Sequence, residues 1–269
     1  MSEIHAQRGY AEVAGTRLYY ELAGAGPALV LIHGFAVDAR VWDAQFETLA
    51  ATHRVLRYDL RGFGRSAAPG TAPYSHTGDL HALMQHLRID PAVIVGLSMG
   101  GWIATHFVLT HPEATRALVL IDAVLIGAEW SPEWKSRWGE IKTLAVQSGI
   151  EAAKRRWLEH PIFALAHMNE ELSAQLARMV ADYSGWHWVN PDPHEPIEPP
   201  DIKRLHKIAV PTLIVTGEYD MRDFHANAQL FQQRIHHARA VVIASVGHLP
   251  NFEAATTFNR HLREFLAGL

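Results

Sequence analysis

Residues 92–104 read AVIVGLSMGGWIA, and within them Gly96-Leu97-Ser98-Met99-Gly100 has the pattern G-x-S-x-G. A short apolar run precedes Ser98 and a helix-like run follows it, so the serine sits where a strand turns abruptly into a helix. Such a turn strains its central residue and brings the flanking positions so close that only a minimal side chain fits. The hydroxyl is then held out at a helix N-terminus, whose dipole favours negative charge. A serine hydroxyl is a weak nucleophile; it needs a base, and the base needs a group that orients it. His248, in ASVGHLPNFE, supplies the base, and Asp220, in LIVTGEYDMRDF, the orienting acid. Glu218, Asp223 and Asp122 compete for the acid's role. Asp122 reads more simply as a strand-end residue, and Asp223 as the cap of the helix that follows it. Attack on a carbonyl creates an oxyanion that needs two donors. The backbone N–H groups of Phe35, in LVLIHGFAV, and of Met99 are the expected pair.

These groups act together only if a scaffold brings them to one place. YAEVAG and TRLYYELAG alternate in polarity and read as a β-hairpin around Gly15. PALVLIH, HRVLRYDL, AVIVGL, RALVLIDA, VPTLIVTG and ARAVVIA are short apolar runs of the kind buried on both faces of a parallel sheet. Amphipathic stretches alternate with them, among them VWDAQFETLAA, SHTGDLHALMQHLRI and DFHANAQLFQQRI. The rhythm predicts an α/β fold, a mostly parallel eight-stranded sheet with helices on both faces. Ser98, Asp220 and His248 then fall at the carboxyl ends of strands, where open α/β sheets form their sites.

Between residues 124 and 204 the rhythm breaks, and the segment reads as a helical cap inserted after the sixth strand. Residues 1–123 and 205–269 are the expected core. SPEWKSRWGEIKTLA has Ser131 as N-cap and Pro132 at the first helical position. Trp134, Trp138, Ile141 and Ala145 share one face of that helix and read as its packing stripe. NEELSAQLARMVADY forms a second helix behind an Asn169 cap, and the proline-rich NPDPHEPIEPPD leads back to the sheet.

Composition narrows the classes of chemistry. The chain has 269 residues, 48% hydrophobic and 19% charged, which is ordinary for a globular domain. A net charge of −4 gives no electrostatic reason to expect nucleic acid or an anionic membrane as partner. Cysteine is absent, which removes disulfides, thiolate metal sites and a cysteine nucleophile. The eighteen histidines are scattered and show no metal-binding spacing, so no metal is expected. The first residues lack the apolar core of a signal peptide, and no apolar run is long enough to span a membrane. A cytoplasmic protein, monomeric or homodimeric, is the expectation.

Taken in order, LIHGF, YDLRGFGRS, GLSMGG, VTGEYD and VGHLP resemble the α/β-hydrolase superfamily. The length, GLSMGG and GHLPNFE are similar to its small carboxylesterase and 3-oxoadipate enol-lactonase-like branch. The resemblance implies a serine hydrolase acting on a small-molecule ester or lactone, without a cofactor. In DLRGFGRS, Asp59 and Arg61 read as structural residues that hold their loop. Two other readings remain: a carbon–carbon bond hydrolase of ring-cleavage products, and a ligand receptor that keeps the triad without turnover. The former would want pocket arginines; Arg137, Arg155, Arg156 and Arg178 are available but read as surface charges. Six of the eight tryptophans lie in the inserted segment. Trp130, Trp186 and Trp188, with His33 and Leu249, are the candidate substrate contacts. Trp102 reads as core packing, with the floor of the pocket as the alternative.

Overall fold

A computed structural model describes residues 6–89 and 91–269. The hairpin forms as expected: β1 (Gln7–Val13) pairs antiparallel with β2 (Thr16–Ala23) across the Ala14-Gly15 turn. Then come β3 (Ala28–Ile32), α1 (Asp43–Leu49), β4 (Arg54–Tyr58), α2 (His76–His86), β5 (Ala92–Leu97), α3 (Met99–Thr110) and β6 (Thr115–Ile121). The inserted segment carries α4 (Pro132–Ser148), α5 (Ile150–Leu158), α6 (Glu170–Asp182) and the single turn α7 (Trp186–Val189). The chain ends with β7 (Thr212–Gly217), α8 (Arg222–Arg234), β8 (Ala238–Ile243), α9 (Pro250–Glu253) and α10 (Ala255–Leu266).

The eight strands form one sheet in the order β1-β2-β4-β3-β5-β6-β7-β8, parallel from β4 to β8. Strand burial follows position. Every residue of β5 and β7 is buried, whereas β1 and β8 at the edges are largely open. The continuous apolar runs of the central strands are thus the signature of a sheet covered on both faces. After β3 the chain moves outward to β4, then crosses back to place β5 on the other side of β3. The chain therefore leaves the paired carboxyl ends of β3 and β5 in opposite directions, and the crevice between the two connections is where an open sheet receives a ligand.

The two helix starts expected in the insertion are present. Ser131 accepts the Trp134 N–H at 3.1 Å and Asn169 accepts the Leu172 N–H at 3.1 Å. Trp157, Leu176, Val180, Tyr183 and Trp188 give the segment its own buried contacts. It is tied to the sheet at identifiable points. The Asp223 carboxylate of α8 accepts the Ser131 N–H at 2.7 Å and its hydroxyl at 2.8 Å. Asp223 is therefore not the cap of its own helix, where Met221 takes that position, but holds the start of α4. On the other side, Tyr74 makes a parallel bridge with His194, through Tyr74 N–H to Pro193 O and Glu195 N–H to Tyr74 O. Among the described residues no helix is long and apolar enough to cross a membrane.

Candidate active site

Ser98 has φ 52° and ψ −112°, a left-handed conformation that a side chain occupies only when its surroundings impose it. Backbone bonds supply that constraint. The Ser98 N–H donates to Ile121 O at 2.8 Å, and Ser98 O accepts from Val124 N–H and Gly101 N–H. The glycines are sterically required: a Cβ on Gly96 would lie 2.2 Å from Gly100 O, and one on Gly100 2.3 Å from Ile32 O. Ser98 thus caps α3 and is pinned to the end of β6, while Gly100 abuts the end of β3.

Asp220, the expected acid, follows β7, and His248, the expected base, follows β8. His248 Nδ1 lies 2.8 Å from Asp220 Oδ2, and both side chains are almost wholly buried. The other Asp220 oxygen accepts the Met221 N–H at 2.7 Å, which fixes the carboxylate's plane. With Nδ1 committed to the acid, Nε2 is the nitrogen left for chemistry. The His248 loop is held by Glu253, whose carboxylate accepts the N–H groups on either side of the histidine, from Gly247 at 2.6 Å and Leu249 at 3.2 Å. Sequence reasoning assigned Glu253 no role, although it stands in the same GHLPNFE motif.

Asp122 also proves to be more than a strand end. It is buried, accepts the Gly217 N–H at 3.1 Å, and is hydrogen-bonded to Asp220. Burial and the neighbouring Asp220 carboxylate push its pKa well above the usual carboxylate range, which makes Asp122 the partner that holds the proton of their shared hydrogen bond. Glu218 faces away and accepts the Ser245 N–H.

The loop after β3 lies directly over the serine. A Cβ on Gly34 would sit 3.4 Å from Ser98 Cβ. The Phe35 N–H bonds no protein acceptor among the described residues, and the Met99 N–H opens α3 and so has no partner within its helix. His33, expected to touch substrate, is instead the peg of this loop. It is fully buried; its Nε2 accepts the Leu60 N–H at 2.9 Å, so its Nδ1–H donates to Gly34 O at 2.7 Å. Burial lowers its pKa to about 4, which keeps it neutral. Asp59 and Arg61 are structural as read: Asp59 accepts the Ala39 and Arg65 N–H groups, and Arg61 pairs with buried Asp79.

Ser98, Phe35, Met99 and His248 line one cavity of about 520 Å³ between the sheet and the inserted helices. Of the candidate substrate contacts, Trp130 and Leu249 line it. Trp186 and Trp188 do not. Trp188 is buried inside the segment against Tyr183, at 4.9 Å between ring centroids, and Trp186 packs against His187 at 4.9 Å. The wall is made instead by Trp134, Trp138 and Trp157 of α4 and α5, and by Trp102 of α3. The α4 stripe is a packing stripe whose neighbour is partly empty space, and helical period alone does not distinguish the two.

With this geometry in view, likeness to known proteins is informative. Residues 27–255 match the family model described as alpha/beta hydrolase fold. The chain is 28% identical over 244 residues to 3-oxoadipate enol-lactonase 2 of Acinetobacter baylyi, covering 87% of this chain and 86% of that protein. Among solved structures, the enol-lactonase from Burkholderia xenovorans is 29% identical with TM-score 0.80, over 96% of this chain and 100% of that one. A thermophilic esterase from Thermogutta terrifontis is 27% identical with TM-score 0.82, over 97% of this chain and 98% of that one. Fold, sheet order and family model agree: the chain belongs to the α/β-hydrolase family.

Proposed function

We propose that the protein hydrolyses carboxylic esters or lactones through an acyl-enzyme, with Ser98 as nucleophile, His248 as general base and Asp220 as orienting acid. The observation that carries this reading is the buried 2.8 Å bond from Asp220 to His248 Nδ1, in a cavity wall shared with the strained Ser98. His248 Nε2 takes the Ser98 proton as Oγ attacks the carbonyl carbon. The oxyanion is held by the Phe35 and Met99 N–H groups, and His248 returns the proton to the leaving alkoxide. His248 then takes a proton from water, which attacks the acyl-enzyme carbonyl, and returns it to Ser98 Oγ as the acyl C–O bond breaks, releasing the acid and the free serine. Asp220 stabilises the imidazolium in both halves. No step calls on a cofactor.

Residues 124–204 act as a cap that excludes bulk water from this sequence of steps. An ester or lactone is favoured over a carbon–carbon substrate by the arginines. Arg137 pairs with Glu133 and Arg156 with Glu140 and Glu159, and neither these nor Arg155 and Arg178 line the cavity. The named esterase and enol-lactonase relatives support the same choice. Multiple turnover of p-nitrophenyl butyrate distinguishes an enzyme from a receptor. Ser98→Ala is expected to lower that turnover by roughly 10⁴-fold or more while the protein stays folded. Undiminished activity in this variant sinks the mechanism.

A further inference from the structure

The walls of the cavity restrict charge more sharply than shape. The Trp130 and Trp134 rings stack at 4.7 Å, and with Trp138 and Phe35 they present flat apolar surface near the nucleophile. Among the described lining residues Lys142 is the one permanent cation, and it is exposed, its ammonium 5.8 Å from the centre of the Trp138 ring. Asp192 and Glu195 are also exposed and add two carboxylates to the same lining. The remaining basic groups away from the nucleophile are His76, His187 and His194. Burial keeps all three below the ordinary histidine value, His187 at about 4, so they offer no positive charge at neutral pH.

We infer that the site takes uncharged esters bearing an aromatic or fused-ring group and rejects esters that carry a carboxylate. A carboxylate entering this space loses its hydration and meets no guanidinium or buried ammonium in return, while Asp192 and Glu195 repel it at the rim. A flat neutral ring replaces water against the tryptophan faces and loses little conformational freedom in doing so.

The inference rests on the hydrolase reading, and one pair of probes separates the two. Methyl 4-acetoxybenzoate and 4-acetoxybenzoate present the same aryl acetate and differ in one negative charge. Wild-type kcat/KM at pH 7.5 is expected to favour the neutral ester by about 30-fold or more. Equilibrium binding of both compounds to Ser98→Ala protein, measured by calorimetry, should rank them the same way. Serine-dependent turnover with equal rates, or with the anion preferred, overturns the charge selection and leaves the hydrolase standing. Absence of turnover with tighter binding of the neutral compound overturns the hydrolase and supports the charge selection. Absence of both turnover and binding overturns both.

Discussion

The elbow after β5 and the wall made by α4 and α5 face each other across one cavity, yet they are specified by different means. The elbow is fixed by backbone atoms: Ser98 is bonded to β6, and its glycines touch carbonyl oxygens of Ile32 and of the helix itself. The wall is fixed by side chains, chiefly indole rings that pack edge to face, such as Trp138 against Trp157 at 5.8 Å. Backbone constraint tolerates no change at the constrained atom. Side-chain packing tolerates substitution and passes the effect to whatever fills the cavity.

That contrast is broken most directly with glycine. Gly100→Ala drives a methyl into the Ile32 carbonyl and is expected to cost at least about 3 kcal/mol of stability. Gly139→Ala in the exposed middle of α4 meets nothing within 4 Å and should add about 0.5–1 kcal/mol. Urea midpoints of the two variants, moving in opposite directions, check both. On the wall, Trp134→Ala should lower kcat/KM for aryl esters by about tenfold or more. Trp186→Ala, whose ring lies outside the cavity, should stay within about twofold. Equal losses from the two variants would mean that the wall is drawn in the wrong place.

A third comparison concerns the acid pair. Asp122→Asn keeps a donor to Asp220 and an acceptor for Gly217, and should hold kcat/KM within about threefold. Asp122→Ala removes both and should cost about tenfold. Equal kcat/KM in the two variants would mean that Asp122 only fills space. The smallest effect belongs to His160, which packs between Trp134 and Trp157 and is held neutral by burial, with its pKa lowered to about 4. Its folded value lies below its ordinary 6.5, so its contribution is present above about pH 6.5 and is lost as pH falls through about 4. Thermal melts at pH 7 and pH 4 should therefore show a smaller drop in Tm for His160→Phe than for wild type.

The same division explains what could be read from the sequence. A strand-turn-helix with glycines two residues either side of a serine has few structural solutions, so the elbow and the sheet around it were legible. The helix caps Ser131 and Asn169 were legible for the same local reason. Which space a buried stripe faces is a tertiary fact. Trp134 and Trp138 satisfy helical period equally well against a core or a cavity, and Trp188 looked like a pocket residue although it packs inside the insertion. His33 followed a strand at the right place to touch substrate, but its two ring nitrogens are taken by Leu60 and Gly34, partners that spacing does not reveal. Asp122 and Glu253 act through contacts with other elements or flanking amides, which a linear motif does not show.

The bond between Asp223 and Ser131 has a consequence for recombination. Hydrolase chimeras that exchange the stretch between residues 124 and 204 would transplant the serine and leave its carboxylate behind on the recipient. Asp223 stands three residues after Asp220, so a mismatched donor would disturb the turn that carries the acid as well as the incoming helix. For purposes of shuffling, position 223 is inherited with the foreign segment.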